Sequence, residues 1–297
     1  MLQRLGQAEK QDAREGVNVA KRYKIGWFST GRGPGSKALL KTTREAIKSG
    51  ELDAEIEFVY CTRERGETEP TDQYLDMVQG YGIPLVSFSY QKYRAMRGMP
   101  NPDLSRPLPQ WRIDYDNEVI KRLKKFRPDL CILAGFMLVT TPVMCNRYDI
   151  INLHPAAPGG PAGTWQQVIW KLIETGANTQ GIKMHIAIPE LDMGPTATYC
   201  LFTIRGRAFD KYWDEIKGKS IEDIKKGPGV ENLLFKTIRE HGAVRELPLT
   251  IATLKVFAEG KIRITKDRQV VDAAGHIIPG YNLTAEIDKK VKDKLPE

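Results

Sequence analysis

The sequence predicts an α/β protein, a doubly wound domain built on a mostly parallel sheet. Three observations carry that reading. Short apolar runs alternate with segments of helical spacing from residue 24 onward. The first run, KIGWFST at 24–30, feeds a glycine-rich turn, GRGPGS at 31–36, and then a helical pattern stopped by Gly50. A later run, DLCILAGF at 129–136, is apolar throughout, as a strand buried on both faces of a parallel sheet must be.

The elements follow in order. EIEFVYCT at 55–62 reads as the second strand, TDQYLDMVQGYG as a helix ended by Gly82, and IPLVSFS at 83–89 as the third strand. Residues 90–113 are polar and proline-rich and read as a long surface loop. DYDNEVIKRLKKFR opens on a capping Asp and is helical. After Pro142 comes the strand YDIINLHP, then a helix at 164–175 and a strand pair around KMHIAI and TATYCLFTI. Residues 206–230 are weakly patterned. A last helix is expected over about 232–258, interrupted near Pro248 and stopped by Gly260. The division this gives is a polar extension at 1–22, one domain at 23–281 and a solvated tail at 282–297.

Composition narrows the function classes. The chain has 297 residues, 41% of them hydrophobic, enough for a substantial core. No apolar run reaches the roughly 18 residues of a membrane span, and the polar start MLQRLGQAEKQDAREG has no secretory apolar stretch. Cys61, Cys131, Cys145 and Cys200 form no C-x-x-C pair and have no His at zinc-finger spacing, so no metal site is expected and the setting is a reducing cytoplasm. The net charge of +8 fits an anionic partner. Bases are interspersed with acids, and no aromatic-interleaved stripe of a nucleic-acid binder is visible, so charge alone leaves a phosphorylated or carboxylated small molecule and a nucleic acid both open.

Three groups of residues can carry chemistry. Gly31, Gly33 and Gly35 permit a tight turn, with Ser36 at the helix start, where backbone N–H groups meet an anion. This is neither G-x-G-x-x-G nor a Walker A sequence, and a plain strand-to-helix turn would look the same. Asn152 and His154 are two apart at the end of a buried strand and share one side of it. Pro155 breaks the strand, and AAPGGPAG makes an open loop beside the pair. An amide can donate to a developing oxyanion, and an imidazole can move a proton near neutral pH. The third group is the turn ELDMGP at 190–195, whose Asp192 can sit beside the imidazole and raise its pKa. His185, in KMHIAI, is expected half-buried, either structural or lining the site.

These pieces, in this order, resemble the glycinamide-ribonucleotide formyltransferases of the folate-dependent formyltransferase family. The matching stretches are STGRGPGSKALL, PDLCILAGFMLVTTP, INLHP, GIKMHIAIPELDMGP, VFAEGKIRI and GHIIPGY, covering roughly residues 24–281. The resemblance implies a formyltransferase-type sheet and transfer of a formyl group from 10-formyltetrahydrofolate, a co-substrate, to a primary amine. Asn152, His154 and Asp192 match the catalytic set, with Asn152 and a protonated His154 holding the oxyanion and Asp192 polarising His154 and ordering a water. Gly31, Arg32, Gly33, Gly35 and Ser36 match the substrate phosphate loop, and Glu246 a ribose contact. Met137, Leu138, Val139, Cys145, Ile188 and Leu191 match the folate lining. The implied partners are a phosphorylated amine and a folate, and a homodimer is left open.

This sequence departs from the family pattern at three places. Pro34 and Gly35 precede Ser36 where the family usually reads G-R-G-S-N, Leu138 stands where an arginine is often found, and small residues follow His154. These departures bear on the acceptor more than on the reaction. The alternatives are another acceptor (methionyl-tRNA, an amino-sugar nucleotide, or water in a deformylase) and a non-catalytic nucleotide-binding protein. Residues 206–297 are too short and too helical for the extra barrel of a methionyl-tRNA formyltransferase, and the first 23 residues too few for a deformylase's regulatory domain.

Overall fold

A computed structural model describes residues 22–102 and 107–295. The polar extension expected over 1–22 lies almost entirely outside the described residues. An eight-stranded sheet forms the centre, in the order β10-β7-β6-β5-β4-β1-β2-β3. Strands β1 (Tyr23–Ser29), β2 (Ala54–Cys61), β3 (Leu85–Ser87), β4 (Leu130–Leu133) and β5 (Ile150–His154) run parallel. β6 (Thr179–Ile186) is antiparallel to both β5 and β7 (Thr196–Thr203), and β10 (Tyr281–Asn282) pairs parallel with β7.

Both faces of the sheet are covered, and the strand sequences show why. Along β1, Ile25 and Trp27 enter one core while Phe28 enters the other; β4 splits the same way, Leu130 and Ile132 against Cys131 and Leu133. The first core receives α1 (Pro34–Ser49), α2 (Glu69–Gly80), α6 (Trp165–Glu174) and α9 (Leu233–Ala258). The second receives α3 (Tyr90–Ala95), α4 (Gln110–Arg122) and α5 (Pro142–Arg147), with Tyr115 stacked on Phe88 at 5.1 Å. The α6 start is fixed by a capping box between Thr164 and Gln167.

Four expectations are corrected. The loop expected over 90–113 contains α3, and α4 begins at Gln110, ahead of the capping Asp114. The weakly patterned stretch 206–230 holds two short helices, α7 (Asp210–Ile216) and α8 (Ile221–Lys226), each burying one isoleucine that sparse periodicity did not reveal. α9 runs unbroken through Pro248. A proline inside a helix costs roughly 3 kcal/mol, but α9 is buried on most sides, by Leu249, Ile251, Ala252, Leu254 and Phe257 among others, and that burial outweighs the lost hydrogen bond. The tail expected to be solvated from 282 forms α10 (Thr284–Val291), which packs on β7 and α9 through buried Ile287 and Val291. A β8–β9 hairpin (Ile262–Ile264, Val270–Asp272) lies between α9 and β10. No described helix is long and apolar enough to cross a membrane.

Candidate active site

The β5–β6 ladder sets the site. Asn152 faces His185 across the ladder and His154 faces Lys183, so residues two apart on each strand place four polar side chains on one face. The opposite face of the same strands is apolar, with Ile151, Ile182, Met184 and Ile186 in the core. The connection after β6 leaves beside Ile150, where the Ala187 N–H donates to the Ile150 carbonyl, and folds back over the polar face. There Asp192, in the left-handed region at φ 59°, brings its carboxylate between the two rings. Its Oδ2 is 3.6 Å from His154 Nδ1 and its Oδ1 3.6 Å from His185 Nε2. Asn152 Nδ2 is 3.5 Å from His185 Nε2.

The carbonyl partners fix the tautomers. His154 Nε2–H donates to the Pro161 carbonyl at 2.9 Å, which leaves Nδ1 as the free base facing Asp192. His185 Nδ1–H donates to the Ile186 carbonyl at 3.1 Å. Both rings are buried, rather than half-buried as expected for His185. Burial pulls His154 below the ordinary histidine range; the Pro161 carbonyl and the Asp192 carboxylate oppose this without overcoming it, and Lys183 adds to the lowering. The expected rise from a neighbouring carboxylate is present, but burial outweighs it. The facing His185 ring holds Asp192 below the usual carboxylate range, against its partial burial.

Two clefts meet at this cluster. The larger, about 750 Å³, is lined by Arg32, Gly33, Gly35 and Ser36, by Glu246 on α9, and by Asn152, His154 and Asp192. The α1 N-terminus opens into it, with Pro34 in the first turn and N–H groups of the following residues unpaired by the helix. Ser36 does not cap α1, whose N-cap is Gly33. It is buried instead against Gly135, where a Cβ would come 2.1 Å from Ser36 Oγ. Gly31 does not line the cleft; at φ 61° it packs on Tyr74 and makes the turn. Glu246 is ion-paired with Arg239, whose guanidinium lies 4.8 Å from the Trp165 ring centroid.

The second cleft, about 430 Å³, is a mostly apolar slot containing Met137, Leu138, Val139, Ile188 and Leu191, and it shares Asn152 and Asp192 with the first. Cys145 is not among its walls: it is buried on α5, and its carbonyl accepts from Arg268. The wall segment that carries Val139 is braced by a buried ion pair, Arg112–Asp116 at 2.5 Å. Arg112 also donates to the Val139 carbonyl at 2.9 Å, and Asp116 accepts from Thr141 Oγ1 at 2.7 Å.

Sequence reasoning missed several members of this site. Phe136 lies within the matching LAGFM stretch but is not singled out by it, and Gln167 and the Pro161 carbonyl carry no motif. Lys183 had a signal, since it lies two residues before His185 on the same strand and so faces the same side.

Residues 33–200 match the formyl transferase family model. The chain belongs to the formyl transferase family. Among curated relatives it is 34% identical over 85 residues to the phosphoribosylglycinamide formyltransferase of Escherichia coli, a match covering 27% of this chain and 38% of that protein. It is 28% identical over 170 residues to the Dictyostelium discoideum phosphoribosylglycinamide formyltransferase, covering 54% and 75%. The match to the human trifunctional purine biosynthetic protein adenosine-3 spans 15% of that protein. In fold, this formyl transferase resembles a phosphoribosylglycinamide formyltransferase from Coxiella burnetii, with a TM-score of 0.59, 19% identity and coverage of 88% and 99%. It also resembles a formyltetrahydrofolate deformylase from Pseudomonas syringae, with a TM-score of 0.54, 18% identity and coverage of 85% and 66%. The family match thus takes in the α1 N-terminus, both polar strands and Asp192.

Proposed function

We propose that this formyl transferase moves the formyl group of 10-formyltetrahydrofolate to the primary amine of glycinamide ribonucleotide. The observation that carries the reading is the meeting of two unlike clefts at Asn152 and Asp192. One offers a helix N-terminus and Arg32 to a phosphate, the other an apolar slot to a flat heterocycle. The relatives named for this activity supply the acceptor's identity.

The chemistry follows from the resting state of the site. The acceptor amine attacks the formyl carbon, and the carbonyl oxygen gains negative charge. The half-buried Asn152 amide donates to that oxygen. His154, tethered through Nε2, takes a proton released by the amine at Nδ1. Asp192 then stabilises the imidazolium, at 3.6 Å already. The proton returns to the departing folate nitrogen as the tetrahedral centre collapses, so the donor leaves as tetrahydrofolate and the amine as a formamide. Phosphate binding at the α1 start and a ribose contact at Glu246 hold the amine in line.

The test is a turnover assay with 10-formyltetrahydrofolate and a panel of acceptors, following release of tetrahydrofolate. Glycinamide ribonucleotide should be the preferred acceptor. Turnover with another amine, or with water, would move the assignment to that acceptor; absence of folate binding and turnover would remove the enzyme reading.

A further inference from the structure

A cavity of about 900 Å³ lies away from the catalytic cluster, bounded by the end of β7, the turn after it, α9, and α10 with the residues that follow. Helix α9 divides the two sites. Ala243, Glu246 and Leu247 line the larger catalytic cleft, whereas His241 and Arg245 line this cavity. Among the described residues, it shares no lining residue with either catalytic cleft. His241 is 7% exposed and Arg245 6%. Each holds a nitrogen without a hydrogen-bond partner among the described residues, Nε2 in His241 and Nε in Arg245. The tips of Arg245 are engaged: Nη1 donates to the His241 carbonyl at 2.7 Å and Nη2 to Asp288 at 3.1 Å. Buried polar atoms are nearly always paired, so two unpaired nitrogens on neighbouring turns of one helix call for a reason. Packing alone supplies none, because a leucine at either position would fill space without an unmet hydrogen bond.

The charges around the cavity point to its occupant. Arg205, Arg245, Lys289 and Lys292 line it against two carboxylates, Asp288 and Asp293, an excess of positive charge that suits a dianion. Lys289 and Lys292 are exposed at its rim. Lysines near the end of α10 also complement the helix dipole, but that role needs no buried arginine on α9. The apolar part of the wall is largely aromatic. The His241 ring packs on Phe209 at 4.6 Å and on Phe202 at 6.4 Å between centroids, and the Arg245 guanidinium lies 4.5 Å from the Phe202 centroid. The volume falls within the range of small-molecule sites, roughly 300–1,000 Å³, and exceeds what an inorganic ion fills.

We propose that this cavity is a second ligand site, for a phosphate ester carried on a flat ring. The phosphate is held by Arg245 with Lys289 and Lys292, and the ring lies against the wall formed by Phe202, Phe209 and His241. Arginine and lysine are the usual partners of a phosphate, and the ester supplies acceptors to a wall that has donors to spare. The site stands apart from the proposed formyl transfer and holds whichever acceptor the catalytic cleft takes.

Phenyl phosphate is the probe, because it carries a flat ring and a phosphate and little else. Binding is followed by calorimetry and by proton NMR of the histidine rings, assignable because the chain has only four histidines. Arg32→Ala is run beside wild type, so that phosphate binding in the catalytic cleft is weakened. In both proteins the probe should shift the His241 ring resonances with a similar Kd. Inorganic phosphate should bind at least about tenfold more weakly, lacking the ring. The double variant Lys289→Glu, Lys292→Glu should weaken the probe at least about tenfold by charge reversal. Both side chains are exposed, so its thermal unfolding should match wild type. His241 resonances that stay still at millimolar probe in the wild-type protein overturn the proposal, as does an affinity untouched by the charge reversal. Loss of all binding in Arg32→Ala assigns the probe to the catalytic cleft and overturns it too. Inorganic phosphate bound as tightly as the ester overturns the flat-ring assignment.

Discussion

Gly194→Ala is the sharpest test of how the Asp192 turn is held. Gly194 sits where the turn rejoins β7, and a Cβ there would lie 1.8 Å from the Ile186 carbonyl oxygen. Side-chain carbons do not approach closer than 3.0 Å, so the turn or β6 must yield by at least about 1.2 Å. The obstacle is backbone, already fixed by the hydrogen bond from Ile186 N–H to the Pro195 carbonyl at 2.9 Å, and cannot rotate away as a side chain could. Asp192 is two residues upstream, so a shift of that size is of the order of the slack in its 3.6 Å approaches to both rings. Misplacement by about 1 Å costs roughly a hundredfold in rate, and forced overpacking roughly 1–3 kcal/mol in stability. We therefore expect kcat to fall about a hundredfold and the melting temperature by several degrees. Gly80→Ala, at the end of α2 with open space around it, is the control and should leave both unchanged or slightly raise stability. Steady-state kinetics and thermal unfolding decide the matter: wild-type kcat and Tm in Gly194→Ala would refute the account of the turn.

Other outcomes follow from the same geometry. His154→Ala should fold normally and lose about 10²–10⁴ in kcat with a modest change in KM, measured by steady-state turnover; unchanged kcat would contradict its role. Asp116→Ala leaves Arg112 buried and uncompensated and frees Thr141, so it should cost about 3–5 kcal/mol in denaturant unfolding and raise KM for the folate rather than for the amine. His241 is buried against Phe209 and held down to about 4 by burial, with Arg245 adding to the effect. A folded pKa below the unfolded value means the unfolded chain takes up the proton first. Its contribution to stability is therefore complete above about pH 6.5 and lost as pH falls from there toward 4. His241→Phe should flatten the dependence of Tm on pH across that window, and an unchanged slope would assign the acid sensitivity elsewhere.

Strands and helices with strong periodicity were legible in the sequence, and so was the order of chemical groups along it. Two-residue spacing alone puts Asn152 and His154 on one side of β5. The glycine-rich turn opens into a cleft, as a strand-turn-helix of that composition should. What failed was local pattern where burial is decided elsewhere. α9 carries a proline that propensity reads as a break, yet it lies against β6 and β7 with its surroundings apolar. α10 is short and lysine-rich, and only its two inward residues reveal that it packs.

The sequence by itself determined the parallel α/β framework, because strands buried on both faces and helices with one apolar face leave few other arrangements. It also determined which side chains could do the chemistry. The tertiary structure decided the rest. Only a fold can bend residues 187–195 back across the sheet so that one carboxylate reaches two histidines on different strands, and only burial can weaken the hold of His154 on a proton beside it. Alternation fixes the direction a side chain takes from its own strand. The proton that side chain holds is set by the charges and the dielectric that other strands bring to it.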